Sequence, residues 1–80
     1  MSAPLPLVSV VMPVLDEVAV VASSLAGLQA LRAAGGEVIV VDGGSRDATR
    51  SIAAPLADRV IEAPRGRATQ MNAGAKAARG

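Results

Sequence analysis

The stretch 38–45, VIVVDGGS, is the sequence feature that most constrains how this chain can fold. Its four consecutive β-branched residues predict a strand buried on both faces, because a half-exposed strand would alternate apolar with polar residues. Asp42 ends the run, and the two glycines after it allow a close approach by a ligand. Ser45 is a favourable N-cap for a helix that begins at about Arg46. This arrangement predicts a site for a small polar or phosphorylated molecule, and the alternative is an ordinary strand-to-helix turn.

The residues before this stretch predict a strand followed by one helix. The apolar run 7–12 is expected to form a strand that Pro13 closes, and residues 1–6 are expected to form a loose leader. Asp16 is expected to cap the helix that follows, which should run from Val18 to the glycines at 35 and 36. The apolar residues at helical spacing, expected to face the sheet, are Val18, Val21, Leu25, Leu28 and Leu31.

The residues after the turn predict a helix, a strand and a second helix. The first helix is expected over 46–54, and Pro55 ends it. Segment 58–62 is apolar at its centre and charged at both ends, which indicates an edge strand. The last helix is expected over 68–79, although Gly74 lowers its propensity by about 1 kcal/mol. One face of this helix is mostly alanine and is expected to permit close approach to the sheet; its residues are Ala68, Met71, Ala75 and Ala78.

The alternation of strands and helices predicts an α/β fold. Three parallel strands joined by right-handed crossovers, with helices on both faces, would form a three-layer α/β/α half of a doubly wound, Rossmann-like fold. The first strand would have one partner in this chain, so its other edge should be bare or paired with a strand from elsewhere, including a second copy. We therefore interpret residues 1–80 as the front part of a larger domain.

The composition excludes several classes of function. The chain has no Phe, Tyr or Trp and a net charge of +1, which argues against binding to nucleic acid. It has no Cys and no His, which excludes thiol chemistry, disulfides, common zinc sites and His-based catalysis. The N-terminal apolar stretch is interrupted by prolines and is too short to span a bilayer. We therefore expect a cytoplasmic chain, either free or at the inner face of the membrane.

Three loops should meet at the carboxyl ends of the strands, where open α/β sheets bind ligands. They are residues 13–17, 42–45 and 64–67, and they carry carboxylates in the first two loops and Arg65 and Arg67 in the third. One ligand could meet hydrogen-bond acceptors at one end and cations for a diphosphate at the other. A dinucleotide fingerprint is absent, because the first loop has no glycine, and no Walker-type phosphate loop is present.

At these residues the sequence resembles the nucleotide-binding half of the family-2 glycosyltransferases, which are inverting enzymes with the GT-A fold. VSVVMPVLDE is similar to the family's opening strand and its P-x-x-N-E loop, and VIVVDGGSRDAT to its V-V-D-D-G-S-x-D-x-T turn. GRATQMNAGAKAARG is similar to its G-K-x-x-A-x-N-x-G-x-x-x-A-x-G helix. Each motif alone is a weak signal, and three in order at matching intervals are a strong one. The pairing of VVDGGS with RGRATQMNAGA is similar, in particular, to a bacterial branch associated with arsenosugar biosynthesis.

The resemblance implies a site for the nucleotide part of a nucleotide-sugar donor. The residues implied are Pro13, Leu15 and Glu17 for the base and ribose, Val41 and Gly43 below the base, Asp42 and Ser45 in the same turn, and Arg67 near the diphosphate. Many relatives have a second aspartate where this chain has Gly43 and an aromatic residue where it has Leu15. For Glu17 the alternative role is a helix-dipole partner, for Arg67 a solvated surface charge, and for Asp42 an anchor of the turn.

The resemblance also implies which parts of the enzyme should lie elsewhere. The family's Asp-X-Asp motif, which holds Mg²⁺ or Mn²⁺, and its catalytic base follow later in the chain than position 80, so no catalytic residue or metal ligand is expected here. The first hypothesis is therefore an incomplete glycosyltransferase that binds the donor nucleotide. The alternatives are a non-catalytic nucleotide-binding or interaction module, which self-associates through the free edge of the first strand, and an inactive remnant. The sugar, the nucleobase and the acceptor cannot be read from these residues.

Overall fold

A computed structural model of the chain describes residues 8–79, so the expected leader at residues 1–6 lies outside the described residues. The described part alternates strands with helices, as an α/β fold requires. The elements in chain order are β1 (Ser9–Val14), α1 (Val21–Ala26), α2 (Gln29–Ala33), β2 (Glu37–Asp42), α3 (Thr49–Ala53), a 3-10 turn (Ala54–Leu56), β3 (Arg59–Glu62) and α4 (Arg67–Ala77). No helix among these residues is both long enough and apolar enough to cross a membrane.

The three strands form one parallel sheet, as the sequence predicts, and their order in the sheet is β1-β2-β3. β2 lies in the centre, and all six of its residues are buried. β1 continues through Pro13 to Val14, so the expectation that Pro13 closes the strand is wrong. The carbonyls of Val8 and Val14 accept bonds from Glu37 and Gly43, so the even-numbered residues of β1 direct their main-chain groups towards β2. The missing N–H of Pro13 therefore faces the outer edge, where it costs no bond to β2.

Helices cover both faces of the sheet, as the sequence predicts. On one face Val38 and Val40 of β2 pack with α1, α3 and the 3-10 turn in a core whose buried helical members include Val21 and Leu25. On the other face α4 lies against β1 and β2. The two faces of β2 are thus both apolar because helices bury both of them.

The segment predicted as one helix over 18–35 is two short helices. A turn at residues 27–28 separates α1 from α2, and the low helix propensity of Gly27 favours this interruption. The Gln29 amide stabilises this break, since its Nε2 donates to the carbonyls of Leu25 and Leu56 at 2.9 and 2.8 Å. Val18, expected in the inward stripe, is 40 % exposed and precedes α1.

The face that α4 buries differs from the predicted one. Ala68, Met71 and Ala75 are exposed, whereas Gln70 and Gly74 are the buried residues of this helix. A Cβ on Gly74 would overlap Cγ1 of Val11 in β1 and lie 3.0 Å from Cγ2 of Val41 in β2. The glycine that weakens the helix in isolation is therefore what allows α4 to approach the sheet.

A buried carboxylate joins the ends of three elements at the amino-terminal edge of the sheet. Glu37 is 2 % exposed, and its Oε1 accepts bonds from the Ser9 hydroxyl at 2.7 Å and the Arg79 main-chain N–H at 3.0 Å. Its Oε2 pairs with Nε of Arg79 at 3.2 Å. The amide of Arg79 above all holds the pKa of Glu37 below its ordinary value, although burial acts in the opposite direction. This ion pair links the residue after α4 to the starts of β1 and β2.

Candidate functional site

The turn after β2 is built around the carboxylate of Asp42. This side chain is fully buried, and its Oδ2 accepts bonds from the main-chain N–H groups of Gly44 and Ser45 at 3.0 and 2.8 Å. The Ser45 hydroxyl donates to the other carboxylate oxygen. Gly44 has a φ of +100°, which residues with a side chain rarely adopt. Asp42 therefore has the anchoring role that was its alternative, and in this arrangement it offers no free surface to a ligand.

The loop after β1 is fastened to this turn by reciprocal hydrogen bonds. The N–H of Asp16 donates to the Ser45 hydroxyl oxygen at 2.9 Å, and the N–H of Arg46 donates to the Asp16 carboxylate at 2.7 Å. Asp16 has a φ of +48°, a conformation that aspartate tolerates better than most residues. The N-cap roles predicted for Asp16 and Ser45 are both wrong, since α1 begins at Val21 and α3 at Thr49 and both side chains bond across the two loops.

A second pair of bonds extends this junction. The N–H of Glu17 donates to the buried Thr49 hydroxyl at 2.9 Å, and the N–H of Val18 donates to the Asp47 carboxylate at 3.3 Å. The Thr49 hydroxyl in turn donates to Asp47, and this bond is the main reason why the pKa of Asp47 lies below its ordinary value. The loops after β1 and β2 thus form one continuous surface at the carboxyl ends of the strands.

Gln70 joins the loop after β3 to the same surface. Its Nε2 donates to the carbonyls of Val14 and Val41 at 3.0 and 2.9 Å, where β1 and β2 end. Its Oε1 accepts a bond from the N–H of Gly66 at 3.1 Å. Sequence reasoning missed this residue, although a signal was present. Gly74 marks the helix face that approaches the sheet, and a residue four positions earlier lies on the same face.

The structure brings the predicted site residues to this one edge, with different exposures. Three of these residues are buried: Val41, Asp42 and Gly43. Four are partly exposed, namely Pro13, Leu15, Glu17 and Ser45, and Arg67 is exposed. Three loops gathered at one edge are what the sequence predicts. The contact of each residue with a nucleotide stays a prediction.

Four charged side chains at this edge make no hydrogen bond or ion pair with any residue in the range 8–79. They are Glu17 after β1, Arg46 after β2, and Arg65 and Arg67 after β3. Arg50, by contrast, pairs with Glu62 and lies 3.7 Å from Asp42, so its charge is already neutralised. Unpaired guanidinium groups bind phosphate oxygens in a bidentate manner, and an unpaired carboxylate accepts bonds from hydroxyl groups. This surface, which we call the rim, comprises the loops 15–20, 43–48 and 63–66 together with the strand ends at Pro13, Val41 and Asp42 and the first residue of α4, Arg67.

The described residues supply no obvious metal site. Within residues 8–79 no group of three or more acidic, His or Cys side chains is placed to hold a metal ion. The carboxylates of Asp42, Asp16 and Asp47 each accept hydrogen bonds from groups in the loops after β1 and β2.

Comparison with known proteins gives a family and no individual relative. The sequence model of glycosyl transferase family 2 matches residues 9–80, which is nearly the whole chain. Neither the curated proteins nor the solved structures contain a match. The matched region includes all three loops of the rim and the sheet that positions them. The chain therefore belongs to glycosyl transferase family 2.

Proposed function

We propose that the rim binds the nucleoside diphosphate part of a nucleotide-sugar donor. The observation that supports this best is that hydrogen bonds tie three loops into one surface and leave one carboxylate and three guanidinium groups on it without partners. A nucleoside diphosphate carries ribose hydroxyl groups that donate to a carboxylate and phosphate oxygens that accept from guanidinium groups. The membership of the chain in a glycosyltransferase family makes a nucleotide-sugar the expected source of that group.

In this proposal each part of the rim has a separate role. Pro13 and Leu15 form an apolar surface for the base, and the carboxylate of Glu17 accepts bonds from the ribose. The turn below the nucleotide is shaped by Val41, Asp42, Gly43 and Ser45. The carboxylate of Asp42 accepts hydrogen bonds within this turn, so its role is to hold the turn in shape. Arg67 binds the diphosphate, with Arg65 and Arg46 beside it.

The transfer reaction requires groups that the rim does not supply. We propose that the complete enzyme moves the sugar to an acceptor with inversion, and that the carboxylates for Mg²⁺ or Mn²⁺ and the catalytic base come from outside residues 8–79. The chain of 80 residues would then bind the donor without transferring the sugar. The arsenosugar branch remains a narrower hypothesis about the pathway, and it rests only on the resemblance of the turn and the last helix.

Calorimetric titration of the chain with uridine diphosphate and guanosine diphosphate tests this proposal. We expect heat of binding with at least one nucleotide and a loss of affinity of about tenfold in Arg67→Ala, which corresponds to about 1.4 kcal/mol for one charge-assisted contact. Arg59→Ala is the matched control, because it removes the same charge from the start of β3, at the amino-terminal ends of the strands and away from the rim. The absence of heat with both nucleotides, or equal losses in the two variants, would contradict the proposal.

A second candidate function concerns the outer edge of β1. Among residues 8–79 no strand pairs with this edge, and β1 carries no charged residue, whereas the other edge strand, β3, has Arg59 and Glu62 at its ends. Charged residues and prolines are common devices that prevent edge strands from pairing. Pro13 removes one donor near the end of this edge, but β1 has no charged residue, and the outward N–H of Val11 can still donate to a partner strand. We propose that β1 of a second copy of this chain pairs with it. This self-association is compatible with nucleotide binding, since the rim lies at the ends of the strands.

A further inference from the structure

Gln70 holds the loop with the arginines against the ends of two strands. Its side chain belongs to a residue that is 4 % exposed, and both hydrogens of its amide nitrogen are used by the carbonyls of Val14 and Val41. The Val14 carbonyl also accepts a bond from the N–H of Gly43 at 3.0 Å. The strand ends therefore do not depend on Gln70 for their hydrogen bonds, and the amide adds a connection to groups that are already paired.

The bond to Gly66 is the one that gives Gln70 a role at the rim. Segment 63–66 is held at its start, where the N–H of Ala63 donates to the Asp42 carbonyl at 3.0 Å. At its other end the N–H of Gly66 donates to Oε1 of Gln70 at 3.1 Å. Gly66 has a φ of +139° and stands between the two arginines of this segment. The main chain of this segment is thus held at its start by Asp42. At its other end it is held by Gln70, through the side-chain bond and through the main-chain N–H of Gln70, which donates to the Gly66 carbonyl at 2.8 Å.

Gly43 makes room for this side chain. A Cβ at position 43 would lie 2.8 Å from Oε1 and 2.9 Å from Cδ of Gln70, which is closer than non-bonded atoms pack. Unlike Gly44 and Gly66, Gly43 does not have a positive φ, so an alanine could adopt its backbone conformation. Gly43 is therefore required here by the amide that lies on it, and the two residues form a matched pair.

We propose that Gln70 is a positioning residue for the donor's second phosphate. The inference rests on the proposed function: Gln70 fixes the distance between the turn at Gly43, near the nucleoside, and the arginines on both sides of Gly66. Loss of the amide leaves the turn intact, because Asp42 and Asp16 hold it. It removes the side-chain connection between Gly66, which lies between Arg65 and Arg67, and the ends of β1 and β2. The effect should therefore fall on the part of the ligand furthest from the turn, which is the distal phosphate.

The first test compares affinities for a nucleoside diphosphate and the corresponding monophosphate. In the unaltered chain the diphosphate should bind more tightly, and in Gln70→Ala this advantage should shrink by at least about threefold while the monophosphate affinity is retained. Glu37→Gln is the control, since it weakens the fold at the opposite edge and should leave the ratio unchanged. Equal losses for both nucleotides in Gln70→Ala, or an unchanged ratio, would overturn the proposal.

The second test does not need a nucleotide. Gly43→Ala should raise the unfolding equilibrium constant of the chain, and the same change in the Gln70→Ala background should raise it less, by at least about threefold, because the obstructing amide is gone. Additive effects would show that the amide does not lie on Gly43 and would overturn the proposal on structural grounds. If the unaltered chain binds no nucleotide while this coupling is found, the proposed function fails and the connection made by Gln70 stands.

Discussion

The close packing of α4 on the sheet predicts that Gly74→Ala lowers the free energy of unfolding, whereas helix propensity alone predicts that it raises it. Gly74→Ala should add a methyl group that overlaps Cγ1 of Val11 and lies 3.1 Å from its Cβ and 3.0 Å from Cγ2 of Val41. Carbon atoms pack at about 3.5–4.0 Å, and valine has little rotamer freedom with which to move away. The helix or the strand therefore has to shift.

Two opposing contributions determine the size of the effect. Overpacking of this kind costs about 1–3 kcal/mol, whereas the replacement of glycine by alanine within a helix gains about 1 kcal/mol. The overlap here involves both sheet residues, so we expect the upper part of the first range and a net loss of about 1–2 kcal/mol in the free energy of unfolding. If α4 did not touch Val11, only the helical term would remain and the variant would be more stable than the unaltered chain.

Urea unfolding followed by far-ultraviolet circular dichroism measures this difference, since the chain has no aromatic residue to report by fluorescence. Ala75→Gly is the matched control: position 75 is exposed in the same helix, so this change should cost about 1 kcal/mol through propensity alone. Val11→Ala should relieve part of the cost of Gly74→Ala when the two are combined. Stabilisation by Gly74→Ala would refute the packing of α4 on β1.

Three further predictions concern the turn, the buried carboxylate and the open edge. Gly44→Ala should destabilise the chain by about 1–2 kcal/mol in urea unfolding, because φ is +100° there, and an unchanged midpoint would contradict the turn. The bond from the Arg79 main-chain N–H is the largest cause of the lowered pKa of Glu37 in the folded chain. The ionised Glu37 therefore stabilises the fold above about pH 4.5, the ordinary pKa, and this stabilisation is lost as the pH falls through the lower pKa of the folded chain. Glu37→Gln should cost about 1–3 kcal/mol at pH 7 and less in acid, and a cost independent of pH would count against the ion pair. If β1 pairs with a second copy, sedimentation should show dimers. Hydrogen exchange at the N–H of Val11, which faces outward, should then slow as the protein concentration rises, whereas exchange at the N–H of Met12, which faces β2, should be slow at every concentration. A monomer at all concentrations would exclude this pairing.

The sequence predicts the sheet well because its signal is local. Four β-branched residues before Asp42 indicate a strand buried on both faces, and β2 is such a strand. The charged ends of 58–62 indicate an edge strand, and β3 lies at an edge. Three parallel strands with helices on both faces follow from the order of the elements and do not depend on exact boundaries.

The details of the loops depend on contacts between distant residues, which local preferences do not reveal. Ser45 and Asp16 have the composition of N-caps, but each finds a partner about 30 positions away in the neighbouring loop. The same competition moves the start of the helix predicted from Val18 to Val21, because the N–H of Val18 bonds to Asp47 instead. The extent of the domain over 1–80 and the nucleotide contacts stay predictions.

The central claim is that a nucleoside diphosphate binds where the three loops meet. Its most direct test is an amide chemical-shift map of the isotope-labelled chain during titration with the nucleotide that gives heat in calorimetry. We expect the largest shifts at Glu17, Arg46 and Gly66, around the rim, and little change at Glu37 and Arg79, at the amino-terminal ends of the strands. Shifts concentrated at those amino-terminal ends, or spread evenly over the chain, would contradict the claim.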